Sequence, residues 1–252
     1  GARFFELKTV QENDELEIDK PCIDALDEGH NTEWSTELSL TEAREEYLRG
    51  WIAANLLAAI FSSAPRSFLF NMSVGYTLAG IKGAKMDAFI EGMRDPAGTA
   101  FWKDALRDLE AFVESGHFRP AFGRGAEGAA RLGKARGLLA DLPSSPVHSV
   151  CLSTMHGCPP DEIGRIGSYL IEDKGFDTLG RLNPTLLGFD TARRILDETE
   201  WKDIAIRREN FEHDLQFSDA LGLIDTLSAK AKARGRRFGI KLSNTLANAN
   251  SG

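Results

Sequence analysis

Between Cys151 and Leu170 the chain reads CLSTMHGCPPDEIGRIGSYL, which places Cys151, His156 and Cys158 within eight residues, ahead of a double proline. Thiolates and imidazole are common zinc ligands, and zinc takes three or four of them in a tetrahedral array. The spacing CxxxxHxC matches no zinc knuckle, Cys151 falls in an apolar run that reads as a strand, and Cys22 has no CxxC partner. No metal is expected here. The three thiols also miss the four-cysteine patterns of iron–sulfur clusters. The other chemistry available is nucleophilic or proton-transferring. Cys158 falls just before a predicted helix, where exposed amides lower a thiol pKa. His156 suits a base or proton shuttle, and Thr154 shares its loop. The plainer alternative is a rigid glycine–proline turn over buried thiols, with His156 serving backbone groups.

Lys8, in ELKT, and Lys241, in IKLSN, each follow apolar strand residues. A lysine there is costly to bury unless it meets an anion or a carbonyl dipole. The pair points to an anionic or electron-rich ligand at the strand ends. Asn71, Asn183 and Asn244 would offer amide donors and acceptors to a planar heterocycle. The alternative is that Glu6 simply neutralises Lys8. Arg207, Arg208 and His213 are equally readable as a phosphate site and as surface.

The elements that must position these residues follow from hydropathy periods. Strands are predicted at the start (ARFFELKTV), at 67–74, near Val147–Leu152, in DTLGRLNPT, in KDIAI and in RFGIKLSN. Helices are predicted over 41–61, 84–92, 99–114, 161–172, 190–198 and 217–234. In the first of these, Leu48, Ile52, Leu56 and Ile60 recur every fourth residue and Leu57 widens the stripe; Thr36 or Thr41 is the expected cap. GYTLAGIKG reads as a loop, and the Gly/Ala/Arg-rich stretch 116–137 is weakly patterned, either a loop or a small helical insertion. Strands alternating with helices argue for a mostly parallel sheet. Polar residues gather directly after the apolar strand cores, and the C-terminal strand ends of such sheets carry the site.

Composition sets the bounds. The 252 residues are 42% hydrophobic and 27% charged, with a formal net charge of −8 and a pI near 5.3. That balance argues against nucleic-acid binding, which needs positive potential along a path. Three cysteines, odd in number, suit a reducing, cytoplasmic compartment. No apolar run is long enough to span a membrane. Neither GxGxxG nor GxxxxGK[ST] occurs at a strand–helix junction. The chain opens in a strand without an initiator methionine and is expected to be a fragment: one barrel-type domain over residues 1–252.

Taken together, FFELKTVQ, KPCIDALDEGHNTEWSTEL, FNMSVGYTLAGIK, CLSTMHGCPPDEIGRIGSYL, RLNPTLLGFD, ENFEHDLQFSDAL and GIKLSNT resemble the N-terminal part of the selenate reductase iron–sulfur subunit family. Those proteins are similar to dihydropyrimidine dehydrogenase. The resemblance covers nearly the whole chain. It implies a dihydroorotate-dehydrogenase-like (β/α)8 TIM barrel, incomplete in this chain, with FMN at the C-terminal strand ends. Iron–sulfur clusters and FAD or NAD(P) would belong to other parts of the full protein. The domain would act on a small-molecule substrate, with other domains or subunits of an electron-transfer complex as partners. Lys8 resembles a flavin-contacting lysine after the first strand, and Lys241 one beside the flavin ring. Asn183 in RLNPT is similar to the first residue of an NLSCPH-like motif; in an alternative register CLSTMH takes that place, with Thr154 at the base position and His156 at the histidine. Neither register supplies the relatives' cysteine or serine base. The relatives' glycine-rich phosphate segment is not found before Gly252. Two readings follow: a flavin-dependent oxidoreductase barrel, or a non-catalytic barrel that has lost its flavin and serves structure or docking.

Overall fold

The computed structural model describes residues 3–8, 23–24, 31–32, 38–62, 68–75, 77–153, 158–242 and 246. In chain order the strands are β1 (Phe4–Lys8), β2 (Ile23–Asp24), β3 (Asn31–Thr32), β4 (Leu69–Val74), β5 (Val147–Leu152), β6 (Asp177–Leu182) and β7 (Phe238–Leu242). The helices are α1 (Leu40–Phe61), α2 (Leu78–Ile81), α3 (Ala84–Arg94), α4 (Ala100–Glu114), α5 (Phe118–Phe122), α6 (Gly125–Ala140), α7 (Pro160–Ser168), α8 (Phe189–Asp197), α9 (Glu209–Glu212) and α10 (Phe217–Ala233). Five strands form one sheet in the order β1-β4-β5-β6-β7, and β2 and β3 form a separate antiparallel pair. Every neighbour in the five-stranded sheet is parallel, which requires the crossovers that the helices supply. This is the alternation of a partial (β/α)8 barrel.

The core lies between the sheet's outer face and the helices. Phe70, Met72 and Val74 of β4 and Val147, Val150 and Leu152 of β5 are buried there, against Leu48, Ile52, Leu56 and Ile60 of α1 and Met86, Phe89, Ile90 and Met93 of α3. Burying each such side chain is worth about 1.5–3 kcal/mol. The register slips between Phe70 and Asn71, where Val147 and Ser149 become successive partners. His148 is the extra residue. The bulge lets Val147 and Val150 share the helix face while Ser149 turns to the other.

Several expectations change. The cap of α1 is Ser39, with neither Thr36 nor Thr41 in that place. The Ser39 hydroxyl accepts from the Glu42 backbone N–H (3.3 Å), and the Glu42 carboxylate accepts from the Ser39 N–H (2.8 Å). This reciprocal box satisfies two otherwise orphaned donors; Thr41 already lies within the helix, and Thr36 is outside the described residues. Leu57 does not widen the buried stripe, being 47% exposed. KDIAI is not a strand. β6 pairs directly with β7, so the place beside β6 is taken. The Arg193 guanidinium instead donates to the carbonyls of Ile204 (2.6 Å) and Lys202 (3.0 Å).

Residues 78–81, read as loop, form the short α2, capped by the Thr77 hydroxyl, which accepts from the Gly80 N–H (3.1 Å). The 116–137 stretch is largely α5 and α6, with Leu132, Ala135 and Leu138 of α6 buried. Its glycines dilute the helical signal. The helix predicted over 161–172 is α7 followed by a π turn, Tyr169–Asp173. The wider turn buries the consecutive residues Leu170 and Ile171.

Candidate functional site at the C-terminal ends of the strands

Side chains alternate across a sheet, so residues at even spacing share a face. On the face away from α1 and α3 lie Glu6 and Lys8 of β1, Asn71 and Ser73 of β4, Ser149 and Cys151 of β5, Arg181 of β6 and Lys241 of β7. The pairings Glu6↔Asn71↔Ser149, Lys8↔Ser73↔Cys151 and Arg181↔Lys241 set them in rows. The polar groups meet across strands. The Ser149 hydroxyl donates to the Asn71 side-chain carbonyl (2.7 Å), whose amide donates to the Met72 carbonyl (3.2 Å). Ser73 and Ser153 share a hydroxyl–hydroxyl bond of 2.9 Å. The Lys241 ammonium donates to the Glu6 carboxylate at 2.5 Å, joining the two edge strands of the sheet. Gly75 follows β4 where a Cβ would stand 2.1 Å from the Ser153 carbonyl oxygen, so only glycine lets the two strand ends approach this closely.

Lys8 is exposed and forms no ion pair with another described residue. Its backbone carbonyl accepts from the Tyr47 hydroxyl of α1 at 2.5 Å, which fixes the end of β1. The plain expectation that Glu6 neutralises Lys8 is not met, because Glu6 takes Lys241. Cys151 is fully buried. Burial and the Glu6 carboxylate raise its thiol pKa, against the Ser153 hydroxyl and the Lys241 and Arg181 cations.

Asn183 begins a second cluster, just past β6. Its amide donates to the Asp214 carboxylate (2.9 Å), and the Thr185 hydroxyl donates to the same oxygen (2.7 Å). The other oxygen accepts from the Leu215 N–H (2.9 Å). Asp214 is 8% exposed, so these donors replace the water it gives up. Cys158 stands near this cluster. The lowering expected from the start of α7 is reversed: burial, then Glu162, then Asp214 raise the thiol pKa. Burial comes first and the two carboxylates add to it, and Glu162 is itself tied to the Leu78 N–H (2.8 Å). Thr154, His156 and Asn244 lie outside the described residues. No group of three or more His, Cys, Asp or Glu that could hold a metal occurs among the described residues, and no helix of these residues is long and apolar enough to cross a membrane.

Lys8, Asn71 and Lys241 therefore share one face, and Asn183 belongs to a neighbouring cluster. Sequence reasoning did not place Ser149, Ser153, Arg181 or Asp214 in the site, and noted Ser153 only among the polar residues that follow the strand cores. The first three follow a period of two with the residues it did choose, which is a usable signal. Asp214 carries no local signal, since its partners lie 29 and 31 positions earlier.

Two curated relatives match all of this chain. They are proteins called "Putative oxidoreductase YgfK" from Escherichia coli K12 and from Escherichia coli O157:H7, each 46% identical over 253 residues. The chain spans 24% of their length. No solved structure matches it. The model of the family described as oxidoreductase YgfK, N-terminal TIM-barrel domain, matches residues 1–252, in keeping with the parallel, helix-backed sheet and its polar inner face, and the chain belongs to that family.

Proposed function

We propose that the chain is the barrel-type domain of a flavin-dependent oxidoreductase within a multidomain iron–sulfur electron-transfer enzyme, with FMN held at the C-terminal strand ends. The observation that carries this reading is the placement of cations on the inner face: Lys8, Arg181 and Lys241 stand towards the C-terminal strand ends, with Lys241 paired to Glu6 and Lys8 in no ion pair with another described residue. A lysine on a rigid strand end with no ion-pair partner among the described residues suits an anionic group, so Lys8 fits FMN in charge. Lys8 would meet it directly. Asn71 and Asn183, whose amides are engaged by Ser149, Met72 and Asp214, would support the surrounding surface. Bound FMN would supply hydride or single-electron transfer to a small-molecule substrate. The chain's own part is electrostatic: cations fixed in advance stabilise charge that develops during reduction without reorganising. Cys158 and Cys151, both with raised pKa, are protonated at neutral pH and suit proton donation better than attack. Thr154 and His156, between them in the sequence, remain the other proton-transfer candidates. Both described thiols are free, as in a reducing, cytoplasmic compartment.

The test is an absorbance spectrum of the full-length protein, followed by denaturation and mass identification of released flavin. One FMN per barrel, lost in Lys8→Ala/Lys241→Ala with the fold retained, supports the site. A second reading, a barrel that has lost its flavin and docks partners, is favoured by the internal engagement of Lys241, Asn71 and Asn183. No flavin after reconstitution with excess FMN would select it.

A further inference from the structure

Glu6 and Lys241 stand on the first and fifth strands of the sheet, with β4, β5 and β6 between them. Their 2.5 Å contact means the sheet curls until its edges face each other. In an eight-stranded barrel the first and fifth strands are diametrically opposed, so this ion pair crosses the interior beneath the mouth. Both side chains are largely shielded, at 17% exposure for Glu6 and 33% for Lys241. Shielding strengthens their mutual field. Cys151, in the same interior, feels Glu6 and Lys241 with opposite signs, which places both charges close by. Lys8, two residues beyond Glu6, is exposed and forms no ion pair among the described residues.

We infer that Glu6 divides the work between the two lysines: Lys8 is the cation that holds the anionic ligand, while the Glu6–Lys241 pair sets the charge felt beneath it, Glu6 acting through Lys241 as a positioning residue. This rests on the flavin reading above. With Glu6 ionised the pair is neutral overall, and a ligand that gains negative charge on reduction receives little help from it. Removing the Glu6 charge leaves Lys241 bare, and the reduced form gains. Removing the Lys241 charge leaves Glu6 bare, and the reduced form loses.

The experiment measures flavin retention and midpoint potential in the full-length protein. Glu6→Gln is expected to retain flavin and shift the redox equilibrium toward the reduced form by about tenfold, about 30 mV upward for a two-electron couple. Lys241→Gln shifts it the other way. Glu6→Gln/Lys241→Gln restores overall neutrality and returns the potential towards that of the parent. Lys8→Met weakens flavin retention at least tenfold. Potentials unchanged in both single variants, or moved in the same direction, overturn the inference while the flavin reading stands. So does full retention in Lys8→Met. If one single variant fails to fold, the sign in the other and the neutral double variant still decide. A parent protein that takes up no flavin at all overturns the functional reading, and this inference with it.

Discussion

On the helix side of the sheet, Phe70, Met72, Val74, Val150 and Leu152 are buried among aliphatic and aromatic side chains. On the opposite face of the same strands stand Asn71, Ser73, Ser149 and Cys151, flanked by Glu6 and Lys241. The apolar face is held by contacts that have no direction, so its members tolerate exchange when volume is kept. The polar face is held by specific partners, and each group there depends on another staying in place. A strand with two such faces separates stability from chemistry residue by residue.

The comparison can be broken most sharply on the helix side. Met72 is fully buried, and Met72→Ala is expected to cost about 2–5 kcal/mol through lost burial and a residual cavity; urea denaturation would show it. A smaller effect is expected from Asp214→Ala, which strands the donors of Asn183, Thr185 and Leu215. The expected loss is about 1–3 kcal/mol. Asp214→Asn should recover part of it, because an acceptor oxygen remains; full loss in the asparagine variant would show that the charge itself is needed.

The next effect depends on pH. Burial opposes ionisation of Asp177, but the Arg237 backbone N–H and guanidinium overcome it and lower the carboxyl pKa. A lowered folded-state pKa contributes stability that is present above the unfolded value, about 3.9 for an aspartate, and is lost as pH falls through the folded value. Asp177→Asn should therefore flatten the decline of stability as pH falls below about 4, read from acid titrations of both proteins. The smallest expected change is kinetic. With its thiol pKa raised, Cys158 should react with iodoacetamide more slowly than a free thiol at pH 7.5, and the rate should rise only above about pH 8.5. Fast alkylation at neutral pH would mean that the helix end prevails over Glu162 and Asp214.

Elements with a strong local period were legible without coordinates. The four-residue recurrence in α1 is the stripe that packs on the sheet, and apolar runs ending in polar residues mark β1, β4, β5, β6 and β7. Weakly periodic segments were not. α6 is interrupted by glycines, and KDIAI has the composition of a strand but no free place beside β6. A hydropathy pattern tells a segment which face it can bury, whereas the availability of a neighbour is a property of the whole sheet.

The same division runs through the candidate site. Residue types and strand positions by themselves determined that Lys8 and Lys241 stand at the C-terminal ends of strands and that Asn71, which lies buried in the middle of β4, shares their face, because alternation and rise per residue are local properties of the backbone. Only the tertiary structure decided that Glu6 meets Lys241, 235 positions away, and leaves Lys8 exposed. That choice depends on how far five strands curl, which is the summed result of twist and helix packing and is written in no single stretch of the chain. Asp214 was decided in the same way: its carboxylate becomes a buried acceptor only because the turn before α10 folds back over the end of β6.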